Sequence, residues 1–390
     1  MTEKLYYIDA YLESFECKVV SLYTDERYIY VETDRTAFFP EGGGQTSDRG
    51  WLNGTYVENV QFIDGKILHF VENNEENVKK LENSTSLHGK IDMKKRFSDM
   101  QQHSGEHIFS GIVHNLYGYN NVGFHLGSEV VTLDFDGILN ENDIRKVELL
   151  VNEVVWKNIE IKILYPSAEE LKTITYRSKI EIDGQVRIVE IPGVDTCACC
   201  APHVKRTGEI GVVEVVSFEK YKGGTRVSIL CGERALKDIR HKLNENKKVS
   251  VTTKAKQSET AQAVDRLLKE KDRLEFELVG LNREILISKA DNIKADKKII
   301  IFDKKLDGKL LTEFTEAIKN KADIFVACFC GENEHYRYCI ASKTVDLRSL
   351  AKELNTAFNG KGGGRGEMIQ GSLTGSEDEI KDFLKKVDLQ

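Results

Sequence analysis

Arg96-Phe-Ser-Asp-Met-Gln-Gln-His103-Ser-Gly-Glu-His107-Ile-Phe-Ser-Gly-Ile-Val-His-Asn-Leu-Tyr117 is the stretch from which the rest of the chain is read. Ile108, Ile112 and Leu116 recur at helical spacing, which predicts a helix starting around Ser98. Two histidines at i and i+4 share one helix face, about 5–6 Å apart at Cβ, and so offer two imidazoles to one metal. Alone, such a pair is more often a solvated or core pair. Its counterpart is Cys197-Ala-Cys199-Cys200-Ala-Pro202-His203. Pro202 excludes an ordinary helix interior, so Cys199 and His203 come from a turn. Together His103, His107, Cys199 and His203 supply three nitrogens and a sulfur, a zinc set by softness and count. Four protein ligands describe a closed structural site, whereas a catalytic one usually keeps a position open. Glu106 is a candidate general base; its plain reading is a solvent-facing helix residue.

Upstream, residues 1–90 read as short strands with turns. Segments 18–22 and 27–32 are β-rich, and 57–62 and 66–71 flank Asp64-Gly65, a type I′ hairpin signal. This spacing predicts a small barrel or sandwich. Between these strands lies Thr36-Ala-Phe-Phe-Pro40-Glu-Gly42-Gly43-Gly44-Gln45-Thr46-Ser-Asp48. Its glycines let the backbone approach a ligand closely, and Gln45 offers donor and acceptor; the alternative is a plain turn.

Downstream, 129–136 alternates like a strand and 142–157 reads as a second helix with Asp143 near its start. Strands return at 161–164, 187–191 and 225–230, which makes this part α+β. Residues 234–290 are helical: a helix over about 235–247, a Val/Thr-rich break at 249–253, then a long helix beginning near Ser258. In it Val264, Leu278 and Ile285 hold one heptad position and Leu267, Leu274 and Leu281 another, with Lys271 interrupting the first set. A rod of about 45 Å results, which predicts a coiled-coil dimer or a helix packed within its own chain. Beyond 297, strands at 298–302 and 324–330 alternate with helices at 310–320 and 347–357, the mark of a compact α/β domain. Here Asn359-Gly-Lys361-Gly362-Gly363-Gly364-Arg365 could cradle a phosphate, although it lacks the Walker ending.

The 390 residues predict two or three domains, and 40% hydrophobic with 31% charged residues is a soluble globular profile. Lys+Arg at 56 against Asp+Glu at 63 gives −7, which advertises neither nucleic acid nor an acidic membrane. The 4 prolines argue against Pro-rich stalks, and 8 cysteines are too few for a disulfide scaffold. Their clustering with histidine suggests metal in a reducing compartment. No signal peptide is expected, and the longest apolar runs, such as 324–329, fall far short of the ~20 residues that span a bilayer. The expected setting is cytoplasmic.

His103-x-x-x-His107, Cys199-x-x-x-His203 followed by Val-Lys-Arg-Thr-Gly208-Glu209, and the Phe-Phe-Pro-Glu-Gly-Gly-Gly-Gln loop resemble the editing domain of alanyl-tRNA synthetase. They resemble even more the freestanding alanyl-tRNA editing proteins of the long type. Gly123-Phe-His125-Leu-Gly127 and 226–236 match the same family, and Gly362-Gly-Gly-Arg365 resembles the synthetase's C-terminal domain. The resemblance implies an α+β, multidomain chain: a small N-terminal β-barrel (1–90), an α+β zinc editing domain (91–233), a helical or coiled-coil segment (234–290) and a DHHA1-like α/β domain (291–390). One departure stands out. The family's Cys-Gly-Gly-Thr-His is here Cys199-Cys200-Ala201-Pro202-His203, a stiffer turn without the threonine hydroxyl.

The implied activity is ATP-independent hydrolysis of serine or glycine esters of tRNA(Ala), with Zn2+ as cofactor. One carbon separates alanine from glycine, worth only ~1–3 kcal/mol of discrimination, whereas a site that hydrogen-bonds a hydroxyl rejects a substrate lacking it by about 10⁴–10⁵. Gln45, Thr46 and Thr36 are the candidates for that contact, with Gly43 and Gly44 beside the substrate and Gln45 and Glu106 as catalytic candidates. A complete synthetase is not expected, since no aminoacylation domain precedes the barrel, and the Asp-His-His motif of the related phosphoesterases is missing. The alternative is a non-catalytic tRNA-binding protein with structural zinc. Lys237, Arg240, Lys242, Lys247, Lys248, Lys254 and Lys256 against Asp238 and Glu245 make a local +5. That stretch, Lys247 and Lys248 above all, and Lys361 and Arg365 are expected to meet tRNA phosphates.

Overall fold

The computed structural model describes residues 2–82, 84, 86–178, 185–306 and 308–389. The chain forms two compact units, Met1–Lys248 and Val249–Gln390.

In the first unit, β1 (Ser14–Thr24), β2 (Tyr28–Thr33), β3 (Gly50–Leu52), β4 (Thr55–Ile63), β5 (Lys66–Glu72) and β6 (Ser86–Ile91) close into a barrel in the order β1-β2-β5-β4-β3-β6. The β4–β5 turn is made by Asp64 and Gly65, with φ of 48° and 80°, as a type I′ turn requires. Ile29, Val31, Phe38, Val57, Ile67 and Leu87 fill the interior. His69 is enclosed among them, its Nδ1 bonded to the Val31 carbonyl at 2.8 Å.

Helix α1 (Met93–Tyr117) begins earlier than its apolar spacing predicts. Asp92 caps it, its carboxylate accepting from the Lys94 and Lys95 amides, and Gly118 at φ 74° ends it. The first turn escapes apolar periodicity because its inward residue is Arg96. That guanidinium is wholly buried, donates to the Ala10 and Ala37 carbonyls at 2.9 and 2.6 Å, and pairs with Asp48. A buried arginine is tolerated only when so fully paired.

Strands β7 (Asn121–Leu126) and β8 (Val131–Phe135) follow, then α2 (Glu141–Trp156), started by an Asn140/Asp143 capping box. Next come β9 (Lys162–Leu164), β10 (Ile188–Ile191), β11 (Asp195–Ala198), β12 (Val213–Tyr221) and β13 (Gly224–Cys231). An antiparallel sheet β12-β13-β8-β7 packs against α1 and α2 around Ile108, Val113, Leu133, Val147 and Ile229, while β9-β10-β11 form a smaller sheet. Helix α3 (Gly232–Thr253) runs through 249–253, where a break is predicted from its Val/Thr content. β-branched residues cost a helix only a few tenths of a kcal/mol each. The helix stops one residue later, where Lys254 takes φ 52°.

The second unit holds α4 (Thr260–Asn292), β14 (Asp296–Phe302), α5 (Lys309–Ile318), β15 (Ala322–Glu332), β16 (His335–Ala341), α6 (Arg348–Ala357), β17 (Lys361–Arg365), β18 (Met368–Thr374) and α7 (Glu377–Lys386). Its sheet runs β14-β15-β16-β18-β17, parallel only between β14 and β15. One apolar cluster joins the sheet to α6 and α7, another to α4 and α5. The Lys321 ammonium donates to the Ala290, Asp291 and Ile293 carbonyls at 2.7–3.1 Å, closing the C-terminus of α4. The second glycine cluster is the edge strand β17, paired with β18 from Lys361–Ser372 to Arg365–Met368. The phosphate-cradling loop expected there is thus corrected to an extended strand, since residues without side chains fit a close strand contact as readily as a nest.

Candidate metal centre

Asp195, Cys197 and Cys199 alternate along β11 and its exit, so strand periodicity turns all three toward α1. The chain then turns, and the wholly buried Ala201 sinks into the barrel core, carrying His203 back toward the helix. The Arg187 guanidinium fixes this turn by donating to the Cys199 and Ala201 carbonyls at 2.7 and 3.0 Å. The ligand atoms of His103, His107, Cys199 and His203 all fall within 4.8 Å of one another. Cys199 Sγ stands 3.5 Å from His103 Nε2 and 3.4 Å from His203 Nε2. The group could hold a metal ion.

The opposite face of each imidazole supports that reading. His103 Nδ1 meets Gln45 Oε1 at 2.7 Å, His107 Nδ1 meets Asp195 Oδ2 at 3.0 Å, and His203 Nδ1 meets Ser104 Oγ at 3.0 Å. An amide oxygen and a carboxylate accept only, so His103 and His107 each carry a proton on Nδ1 and turn Nε2 toward the cluster. Outer partners of this kind orient metal-binding histidines. Burial opposes charge on Cys199, but the neighbouring imidazoles of His103, His203 and His107 hold its thiol well below the ordinary range. Burial lowers His203 to about 3, so it is neutral at pH 7. Burial also disfavours charge on His107, yet Asp195, Cys199 and Glu106 raise it well above its usual value. The donor set fits zinc.

Residues 42–45 make a tight turn, with reciprocal Gly42–Gln45 backbone bonds of 3.1 Å. The Gly44 carbonyl accepts from Leu126 N at 2.9 Å, and Phe124 lies 4.7 Å from the His103 ring. Gln45 is buried, and its Nε2 has no hydrogen-bond partner among the described residues. Gly43 faces the Cys200 side chain. Glu106 is buried rather than solvent-facing. Its Oε1 accepts from Ser110 Oγ at 2.7 Å and Asn121 Nδ2 at 2.6 Å, and its Oε2 lies 3.9 Å from His107 Nε2. Thr46 Oγ1 accepts from Lys95 Nζ at 3.1 Å.

Thr36 is not brought to this cluster. Its hydroxyl bonds His69 Nε2 at 2.8 Å and accepts from the Phe38 amide at 3.1 Å, wholly buried. Lys247 and Lys248 are exposed on α3, Lys248 paired with Glu245; Lys361 and Arg365 are exposed on β17 in the second unit. Sequence reasoning missed Asp195, Ser104 and Asn121. The Asp195-x-Cys197-x-Cys199 alternation was a usable signal for the first, and Ser104 sat inside the histidine motif; nothing local marked Asn121.

Residues 186–228 match the family described as the threonyl and alanyl tRNA synthetase second additional domain, and residues 295–390 match the DHHA1 domain. The alanyl-tRNA editing protein AlaX-L of Pyrococcus horikoshii is 28% identical over 98% of this chain and 97% of its own length. The chain is a relative of the alanyl-tRNA editing proteins. Alanyl-tRNA editing protein Aarsd1 of Danio rerio is 27% identical over 97% of the chain and 96% of that protein. Alanine–tRNA ligase of Methanobrevibacter smithii aligns at 27% over 95% of the chain but 44% of its own length. The editing-protein relationship therefore covers both units. No helix among the described residues is long and apolar enough to cross a membrane.

Proposed function

We propose that this chain is an aminoacyl-tRNA hydrolase that removes serine or glycine from mischarged tRNA(Ala) in trans, at a zinc site formed by His103, His107, Cys199 and His203. The observation that carries the reading is the convergence of four donors, each imidazole backed by its own partner, beside the unpartnered Gln45 amide. Full-length similarity to editing proteins supplies the substrate class.

Zinc bound there supplies Lewis acidity. The chain's own residues do the rest. Gln45 Oε1 holds the His103 tautomer, while its Nε2 donates to the substrate. A buried amide donor without a partner costs about 1–3 kcal/mol, a deficit that a substrate oxygen removes. Glu106, held at Oε1 by Ser110 and Asn121, is placed to take a proton beside His107. The turn through Gly43 and Gly44 admits the ester close to the backbone. Since Thr36 is committed inside the barrel, the serine hydroxyl is read by Gln45 and Thr46. The Lys237–Lys256 stretch, Lys361 and Arg365 meet tRNA phosphates in the cytoplasm. Val264, Leu267, Leu274, Leu278, Leu281 and Ile285, all exposed on α4, form the seam of a homodimer.

The test is direct. Purified protein should hold about one zinc per chain and deacylate seryl- and glycyl-tRNA(Ala) while sparing alanyl-tRNA(Ala). His103→Ala and Cys199→Ala should lose both metal and hydrolysis; full hydrolysis in either variant sinks the assignment. Four protein donors also describe a closed structural site. Tight tRNA binding with no deacylation of any ester would identify the chain as a tRNA-binding protein instead.

A further inference from the structure

Behind His107 lies an ion-paired group that the proposed chemistry does not use. Asp195 is buried on β11. Its Oδ2 faces His107 Nδ1 at 3.0 Å, and the Arg177 guanidinium grips both oxygens, Nε to Oδ1 at 2.8 Å and Nη2 to Oδ2 at 2.9 Å. The arginine is itself fastened to β11, whose next residue is Cys199. Its amide donates to the Thr196 carbonyl and its carbonyl accepts from the Ala198 amide, both at 2.9 Å. A cavity of about 730 Å³, lined by Arg177, Asp195, His114, Asn121, Thr196 and Cys197, opens beside this pair.

Resting on the zinc reading above, we infer that Arg177 and Asp195 are positioning residues for the metal site. The arginine fork locks the plane of the Asp195 carboxylate, and the carboxylate fixes which nitrogen of His107 faces the centre.

The chemistry follows from geometry. A carboxylate held by one hydrogen bond rotates about its Cβ–Cγ bond. Held by two parallel N–H groups it does not, and a bidentate guanidinium provides that grip where an ammonium cannot. With Oδ2 fixed as an acceptor, His107 Nδ1 keeps its proton and Nε2 stays available. His107, Asp195 and Cys197 also bring their ligand atoms within 4.8 Å of one another, as a second metal group would. Arg177 opposes that use, because its positive charge touches the very carboxylate such a cation would need. One strand therefore fixes two donors, Cys199 directly and His107 through the Arg177–Asp195 pair.

The experiment measures zinc affinity of the full chain by competition with a chromophoric chelator, and the visible spectrum of the cobalt-substituted protein. Arg177→Met should weaken zinc binding about 10–100-fold, the usual cost of losing an outer-shell partner, and alter the cobalt spectrum. Arg177→Lys should recover part of the affinity but not the wild-type spectrum. Asp195→Asn should weaken zinc binding by a similar factor, and the Arg177→Met/Asp195→Asn double variant by little more than either. Should Arg177→Met fail to fold, Arg177→Lys and Asp195→Asn carry the same comparison. Wild-type affinity and spectrum in these variants overturn the positioning role while leaving the zinc site standing. A wild-type chain that takes up no zinc overturns both.

Discussion

Two glycine clusters of similar composition do opposite structural work. Gly42-Gly43-Gly44 closes a tight turn in which Gly43 and Gly44 have φ of 60° and 82°. Gly362-Gly363-Gly364 is an extended edge strand. The first run is set by left-handed backbone together with space, the second by space alone. A Cβ on Gly44 would stand 2.6 Å from the Phe124 ring and 2.7 Å from the Phe124 carbonyl. A Cβ on Gly362 would overlap the Tyr338 hydroxyl and approach the Gln370 carbonyl to 2.6 Å, while one on Gly363 would meet nothing within 4 Å. Three glycines in a row thus announce a backbone contact, without saying whether the contact is a turn at a site or a strand against a neighbour.

The largest expected effect is at Gly44. Alanine there pays about 1–2 kcal/mol for left-handed backbone and a further ~1–3 kcal/mol for overlap with Phe124, whose ring lies tilted against His103. Gly44→Ala should lower the thermal midpoint of the first unit by about 4–20 °C and reduce bound zinc, read by calorimetry and metal analysis. Unchanged zinc content would show that the turn and the metal cluster are independent. Gly362→Ala should cost about 1–3 kcal/mol through overpacking alone. It should leave zinc content at the wild-type value, and a loss of metal there would break the distinction between the two runs.

The same contrast explains what the chain disclosed before its structure. The four candidate ligands were legible because helical spacing and a proline-bearing turn are local properties, and the structure brings all four together. The α1 start was misplaced because Arg96, a charged residue, occupies the core position that an apolar side chain would have marked. The 249–253 break was misjudged because propensity yields to an already extended helix. Thr36, a candidate contact for the serine hydroxyl from the sequence, instead has its hydroxyl facing His69 inside the barrel. Asp195 and Arg177 lie far from His107 in sequence, and only the packing of β11 on α1 joins them.

Smaller effects refine the contrast within each run. Gly43 also has positive φ, but its Cβ would sit 3.8 Å from Cys200 Sγ, an ordinary contact. Gly43→Ala should therefore cost about 1–2 kcal/mol of stability, less than Gly44→Ala, while crowding the mouth of the proposed site at the Gly43–Gly44 turn. A larger loss of hydrolysis than of stability is expected. Equal proportional losses would place the mouth elsewhere.

Gly363→Ala is the smallest change and its sign is informative. The position is extended, exposed and free of neighbours on the side a Cβ would occupy. Alanine reduces the freedom of the unfolded chain at no cost in strain, so the variant should be neutral or up to about 0.4–1 kcal/mol more stable. Gly362→Ala, one residue away on the opposite face of the strand, should be destabilising. Opposite signs at adjacent glycines are what strand alternation requires. A nest of amides around a phosphate makes no such distinction between neighbours. If both substitutions destabilise equally, β17 is not the edge strand its pairing with β18 describes.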